Sequence, residues 1–159
     1  MKKNIEILAP AGTMESLYAA VSNGANAIYL GGKTFGARAY AGNFDEQELK
    51  QAIAYAHERN VKIYVTTNIL VMDSEVTDFL EYVSFLYQND VDALIIQDIG
   101  MVHLLRNIFP NMPLHSSTQM TVINSLDTLY VKKLGIERMV YARENSVEEL
   151  KEIQQKNGT

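Results

Sequence analysis

The stretches NGANAIYL (residues 23–30), NDVDALII (residues 89–96) and LGIERMVY (residues 134–141) share one arrangement. Each contains a residue at which a helix ends, a small polar turn and the beginning of an apolar run. Such short turns between a helix and a nearly continuous apolar strand are typical of parallel strands covered by helices. The repeat therefore predicts an α/β fold with a parallel sheet.

The same alternation of elements extends along the rest of the chain. Short apolar runs alternate with longer stretches whose apolar residues recur at helical spacing. Thr13 and Asp45 suit helix N-caps, and Ser146 with Glu149 matches a capping box. Strands are predicted at residues 5–8, 27–30, 61–67, 93–97, 113–117 and 138–142, and helices at residues 14–23, 45–59, 73–88, 98–109, 125–134 and from residue 146 onward.

Two architectures accommodate this order of elements: a doubly wound open sheet, or part of a parallel (β/α) TIM-like barrel. The first turn after a strand, APAGT (residues 9–13), lacks the G-x-G-x-x-G pattern of dinucleotide-binding sheets. Polar residues also follow nearly every predicted strand, as a ring of barrel loops requires. We therefore predict one domain over residues 1–159, an incomplete TIM-like barrel with about six of eight βα units, and expect the remainder of the parent protein to be missing.

Composition excludes several classes of protein. The chain has 159 residues, 47% of them hydrophobic, and 14 Lys and Arg against 19 Asp and Glu, for a net charge of −5. This balance argues against a dedicated nucleic-acid-binding module. The absence of cysteine excludes disulfides, zinc fingers and cysteine nucleophiles built from these residues. No apolar run approaches the roughly 18 residues of a membrane span, so we expect a cytoplasmic protein without a membrane partner.

The loop GGKTFGARAYAGN (residues 31–43) is the most informative local feature, since loops of this length within compact domains are often functional. The backbone amides of Gly31 and Gly32, together with Lys33 and Arg38, are suited to an anion such as a carboxylate or phosphate. The alternative is a loop edge with solvated charges.

Three ionisable residues stand out elsewhere. Glu6 lies within an apolar run, where a carboxylate requires a partner, and we expect it to face a polar interior or Arg143, or to form a structural ion pair. Arg143 could bind a substrate carboxylate, or pair with Glu144 at the barrel rim.

The segment HSSTQM (residues 115–120) places hydroxyls beside an imidazole. Neighbouring strand residues point to opposite faces, so His115 is predicted to be a hydrogen-bonded core or pocket residue, not the activator of Ser116. The histidines also lack the spacing of a metal site. No catalytic residue is assigned. The candidate substrate-binding residues are Glu6, Pro10, Gly12, Gly31, Gly32, Lys33, Arg38, Asn43, Asn68, Gln97, His115, Ser117, Gln119, Asn124, Arg143 and Glu144.

Residues 7–44, residues 115–124 (HSSTQMTVIN) and residues 139–150 (MVYARENSVEEL) resemble peptidase family U32, the collagenase-like proteases. The resemblance implies a TIM-like barrel and a protease. Members of the family are also linked to hydroxylation of RNA bases, including the wobble uridine of tRNA, and of ubiquinone precursors, and those members use cysteine-ligated iron–sulfur clusters. The matched positions are Pro10, Gly12, Gly31, Gly32, Arg38, Gly42, Asn43, Gln119, Asn124, Arg143 and Glu144.

The cysteine-bearing signature of the family lies downstream of the matched region. Three hypotheses follow: a protease of this family, represented by an inactive N-terminal part; part of an enzyme that hydroxylates tRNA wobble uridine or rRNA; or a small anion-binding module without catalysis. No cofactor is expected in this chain itself, and an iron–sulfur cluster is expected only in a full-length parent. The expected partners are a small anionic or peptide substrate, RNA for the full-length parent, and further copies of the chain that pair through open barrel edges.

Overall fold

Five parallel strands form one sheet whose spatial order follows the order of the chain. The computed structural model describes residues 5–37 and 43–157. The strands are β1 (Leu8–Pro10), β2 (Ala27–Gly31), β3 (Lys62–Thr67), β4 (Ala93–Ile96) and β5 (Leu114–Ser116), and the helices are α1 (Met14–Ser22), α2 (Glu46–His57), α3 (Val76–Gln88), α4 (Ile99–Ile108), α5 (Ser125–Lys133) and α6 (Val147–Asn157).

The described helices that connect the strands pack on one face of the sheet, and this decides between the two predicted architectures. Ile28 and Ile63 alternate along their strands with Ala27 and Tyr64, and the two sets belong to separate apolar clusters. The first cluster contains helix residues such as Leu49, whereas the second consists of strand residues only. A doubly wound sheet reverses its strand order and carries helices on both faces. Sequential order with helices on one face is the arrangement of a barrel wall.

The repeated turn in the three quoted stretches has a common backbone conformation. Gly24 and Gly135 both have φ of +88°, and Asp90 at the equivalent place has φ of 58°. A left-handed residue after a helix satisfies its last carbonyls and sends the chain back toward the sheet. The repeat therefore marks the points at which each helix ends and the next strand position begins.

The predicted helix caps at Thr13 and Asp45 are confirmed. Thr13 Oγ1 accepts from the Ser16 amide at 3.2 Å, and Asp45 Oδ1 accepts from the Glu48 amide at 2.9 Å. The Glu48 carboxylate in turn accepts from the Asp45 amide at 2.9 Å, completing a capping box. Helices α1 and α4 thus begin within four residues of the ends of their strands, whereas at least eight residues separate β2, β3 and β5 from the α-helices that follow them.

The first predicted strand is displaced: β1 occupies Leu8–Pro10, not residues 5–8. The Ile7 amide donates to the side-chain Oδ1 of Asn26 at 2.9 Å, and its carbonyl accepts from the Asn26 backbone amide. The side chain of Asn26 therefore takes the place of a ladder partner, and the regular strand begins after it. Pro10, predicted to follow the strand, ends it instead, which an edge strand tolerates.

The prediction of a sixth strand at residues 138–142 is wrong for a regular strand. Within the described residues this segment forms an isolated parallel bridge between His115 and Arg138. The Ser116 amide donates to the Arg138 carbonyl at 2.8 Å, but the Val140 amide then donates to the Ser116 hydroxyl at 2.9 Å. A side chain replaces the next backbone acceptor, so the ladder stops after one step.

None of the helices in the described segments is long and apolar enough to cross a membrane.

The open edge of the sheet at β1 predicts self-association of the 159-residue chain. Among the described residues β1 pairs with β2 alone, and Ile5 and Ile7 beside it are 87% and 57% exposed. An open strand edge flanked by apolar side chains recruits another chain. We expect oligomers at micromolar concentration by size-exclusion chromatography with light scattering. A monodisperse monomer would contradict this prediction.

Gly32 lies so close to Tyr82 that a methyl group added at position 32 should destabilise the fold, by an amount that depends on the Tyr82 hydroxyl. A Cβ at position 32 would lie 2.0 Å from the Tyr82 hydroxyl oxygen. We expect Gly32→Ala to lower the free energy of unfolding by about 2 kcal/mol, because overpacking forces neighbours to shift. Tyr82→Phe removes the clashing oxygen, so Gly32→Ala should cost less in that background. Urea denaturation of the single and double variants measures this difference, and equal costs in both backgrounds would refute the contact.

Candidate functional site

Three side chains follow β3, β4 and β5 directly and form what we call the mouth layer: Asn68, Gln97 and Ser117. Strand alternation assigns them to the face of Tyr64, Ile95 and His115, the face without helices. Asn68 Nδ2 donates to Ser117 Oγ at 3.3 Å, which bridges the end of β3 to the end of β5. The carboxyl ends of parallel strands are where barrels bind substrates.

The glycine-rich loop is tied to this layer through its backbone. The Ala37 amide donates to Asn68 Oδ1 at 3.1 Å, and the Gln119 amide donates to Ser117 Oγ at 3.2 Å. Asn68 and Gln97 are half-buried, whereas Ser117 is buried. The Gln119 side chain is exposed and its backbone amide supports Ser117, while its role in substrate binding stays a prediction.

Close packing fixes the start of the same loop. A Cβ at Gly31 would lie 3.0 Å from Thr66 Oγ1 and 3.2 Å from Asn43 Oδ1, so both side chains lie against this glycine. Phe35 has φ of 58°, unusual for an aromatic residue, and its ring packs on Phe79 with centroids 5.3 Å apart. The loop is therefore anchored in the helix layer and reaches the mouth at Ala37.

The predicted anion site in this loop is only partly described. The Lys33 ammonium lies 3.2 Å from Asp45, and its backbone amide donates to the Phe44 carbonyl at 3.2 Å. Lys33 is thus directed toward the start of α2. Arg38 and Gly42, also named in the sequence analysis, lie outside the described residues.

A second group of side chains, the inner-face cluster, comprises Glu6, Tyr64, His115 and Arg138. Both terminal nitrogens of the Arg138 guanidinium, Nη1 and Nη2, donate to the Glu6 carboxylate, and the Nη2–Oε2 distance is 3.3 Å. Tyr64 Oη also donates to Glu6, at 3.1 Å. The structure thus shows the alternative of a structural ion pair for Glu6, with Arg138 as the partner and not Arg143, which is exposed five residues further on. The Arg138 guanidinium lowers the pKa of Glu6, and the bonds to Glu6 raise the pKa of Arg138.

His115 and Tyr64 are neutral members of the inner-face cluster. Their rings meet edge-on with centroids 4.7 Å apart. Burial, together with the charge of Arg138, lowers the pKa of His115 to about 4, and burial raises the pKa of Tyr64 to about 12. Among the described residues no hydrogen bond joins His115 to a serine hydroxyl, and Ser116 bonds to Val140 on the other face. The prediction that His115 does not activate Ser116 is therefore confirmed.

The remaining candidates have structural contacts. The Gly12 amide donates to Ser16 Oγ at 3.1 Å, and Asn124 Oδ1 accepts from the amides of Leu126 and Asp127 at 2.9 Å as the N-cap of α5. Glu144, like Arg143, is exposed. The structure does not bring these residues into the mouth layer.

Sequence analysis missed Arg138, Tyr64 and Thr66. Lys62, Tyr64, Thr66 and Asn68 alternate in the sequence, so the inner face of β3 could have been read from that period. The place of Arg138 could not have been predicted, because it depends on the register in which its segment pairs beside His115, and the sequence does not specify that register.

A cleft of about 260 Å³ lies at the amino ends of the strands. It is lined by Lys62, Tyr64, Asp92, Pro113, His115, Glu137 and Arg138.

The depressed pKa of His115 predicts a pH-dependent stability. The unfolded state binds a proton near pH 6.5 and the folded state only near pH 4, so stability is full above pH 6.5 and falls as pH drops toward 4. The loss attributable to His115 is about 3 kcal/mol. Urea denaturation at stepped pH should show a flatter curve over this window for His115→Phe than for the wild type. Parallel curves would contradict the assignment.

Comparisons with known proteins agree with this geometry. The sequence profile described as Peptidase family U32 matches residues 12–159. The chain is 36% identical over 154 residues to "tRNA hydroxylation protein P1" of Bacillus subtilis, covering 97% of this chain and 36% of that protein. It is 34% identical over 151 residues both to a Methanocaldococcus jannaschii protein named an uncharacterized protease and to a 23S rRNA 5-hydroxycytidine synthase of Escherichia coli, covering 95% of this chain and 36% and 22% of those proteins. The chain thus spans about a third of the length of the first two curated relatives, and less of the third.

A solved structure supports the barrel assignment. The structure of the U32 peptidase Mk0906 matches with a TM-score of 0.75 at 13% identity, covering 98% of this chain and 67% of that one. At this identity the likeness concerns the fold, and it confirms the predicted incomplete TIM-like barrel. The profile match over residues 12–159 shows that the chain belongs to peptidase family U32.

Proposed function

We propose that the protein containing this chain hydroxylates a pyrimidine base of RNA, in tRNA in the first instance. The observation that carries the proposal is the 36% identity to a tRNA hydroxylation protein over 97% of this chain. An rRNA 5-hydroxycytidine synthase matches over 95% of the chain, so a ribosomal base is the second candidate substrate. Both relatives are named for the modification of RNA.

The mouth layer supports a neutral, hydrogen-bonding substrate. Asn68 and Gln97 offer carboxamide groups there, and Ser117, Thr66 and Asn43 complete the uncharged polar surroundings of this end of the strands. Such groups complement the edge of a nucleobase, which is read by hydrogen bonds when it leaves the stack. A net charge of −5 does not favour broad, sequence-independent binding of phosphates by this chain.

The two other hypotheses have weaker support. Proteolysis rests on the family name and on one relative named an uncharacterized protease. In the described residues Ser117 Oγ accepts hydrogen bonds from Asn68 and from the Gln119 amide, and no hydrogen bond joins it to a histidine. A serine–histidine pair at Ser117 therefore gives no support to proteolysis. The hypothesis of an anion-binding module is weakened because Lys33, the first cation proposed for the anion site, is already paired with Asp45.

The resemblance brings an iron–sulfur cluster into the proposal, but these residues do not fit one. The sequence contains no cysteine, and the described residues contain no group of three His, Asp or Glu side chains that could hold a metal. We propose that a cluster in the whole protein would be held by cysteines outside these 159 residues. We also place the protein in the cytoplasm, where tRNA is modified.

Deletion of the gene tests the proposed function. We expect mass spectrometry of nucleosides from total tRNA to show the loss of a pyrimidine nucleoside that carries one additional oxygen, and a plasmid copy of the gene to restore it. Loss from rRNA alone would select the ribosomal substrate. Unchanged hydroxylation of both RNAs would refute the proposal.

A further inference from the structure

The orientation of the Asn68 side chain is fixed by its partners, although an amide can ordinarily be turned around. A backbone amide can only donate, so the Ala37 N–H at 3.1 Å requires the oxygen of Asn68 on that side. The nitrogen then faces Ser117 Oγ at 3.3 Å. Ser117 is held at the end of β5, where its amide donates to the Ile96 carbonyl at 2.7 Å, and Ala37 follows Phe35, whose ring packs on Phe79.

The hydroxyl of Ser117 is equally constrained as an acceptor. It accepts from Asn68 Nδ2 and from the Gln119 amide at 3.2 Å, which occupies its two lone pairs. Ser117 is 3% exposed, so this hydrogen-bonded pair is shielded from competition by water. Ser117 therefore acts as a support for Asn68.

These bonds leave part of the Asn68 carboxamide available. An amide group has two N–H donors and two oxygen lone pairs, of which the structure assigns one donor to Ser117 and one lone pair to the Ala37 amide. The side chain is half-buried at the carboxyl end of β3, where ligands of parallel α/β folds bind. One donor and one acceptor in a fixed order remain on a side chain that a substrate can reach.

We propose that Asn68 is the residue that reads the substrate base, with Ser117 and Ala37 as its positioning supports. The inference rests on the proposed function, and it adds to it the group that distinguishes the keto edge of uracil from the amino edge of adenine or cytosine. An N–H and a carbonyl oxygen held in a fixed order match the adjacent O4 acceptor and N3–H donor of uracil. Adenine and cytosine present a donor and an acceptor in the reverse order at these places, and a fixed amide cannot turn to suit them. A well-formed amide–base pair contributes about 1–3 kcal/mol of discrimination.

Binding of two RNA probes tests this role in the full protein. The probes are single-stranded oligouridylate and oligoadenylate, measured by fluorescence anisotropy, and the readout is the ratio of their dissociation constants. We expect the wild type to prefer oligouridylate. Asn68→Asp keeps the acceptor for Ala37 but loses every donor, and should reduce that preference about tenfold to a hundredfold. Ser117→Ala should reduce it less, because the amide remains but can rotate.

The ratio of the two dissociation constants distinguishes a role of Asn68 in base recognition from a role in folding. A residue with a merely structural role would change the affinities for both RNAs together and would lower the melting temperature by circular dichroism. Asn107→Asp, the same chemical change on the exposed surface of α4, is the matched control and should leave the ratio unchanged.

The outcomes distinguish this inference from the proposed function. No wild-type preference, or an unchanged ratio in both Asn68→Asp and Asn68→Ala, would overturn the reading role, even if gene deletion abolishes RNA hydroxylation. A ratio that collapses in these variants would sustain the reading role, even if deletion leaves hydroxylation intact and the proposed reaction is thereby wrong.

Discussion

The packing of the connecting helices on one face of a parallel sheet is the constraint on which the rest of the structure depends. It buries one set of alternating strand residues, such as Ile28, Ile63 and Leu94, against the helices in a large apolar core. The other set faces a space that helices do not fill. Side chains alone must occupy that space, and here they change from aromatic and charged groups near the amino ends of the strands to uncharged polar groups at the carboxyl ends.

This gradient separates two tasks along the same strands. Near the amino end of β3, Tyr64 contributes to the ion pair of Glu6 and Arg138, whose contacts are internal to the protein. Two and four residues further on, Thr66 and Asn68 face the glycine-rich loop and the mouth. The ion pair thus lies, partly exposed, near the amino ends of the strands, whereas uncharged donors and acceptors lie at the carboxyl ends.

The sequence predicted the presence of the helices and strands better than the residues at which the strands begin and end. Periodicity and capping residues located the helices to within a few residues, because Thr13, Asp45 and Ser146 act on their own backbone neighbours. It failed at the first and sixth strands, because Asn26 and Ser116 replace backbone partners with side chains, an exchange that hydropathy does not register. Asn68, Gln97 and Ser117 were predictable from their place after strands. The Glu6–Arg138 pair was not, since it depends on the curvature that brings distant strands together.

That ion pair also has a consequence for the order in which the fold is assembled. Neighbouring strands pair with their immediate successors, so each βα unit can add to the one before it as the chain leaves the ribosome. Glu6 and Arg138 are 132 positions apart, and closing so long a loop costs more entropy than any contact between adjacent units. Until residue 138 has been synthesised, Glu6 lacks this partner. The segment that contains Glu6 is thus made well before its carboxylate can gain this counter-ion.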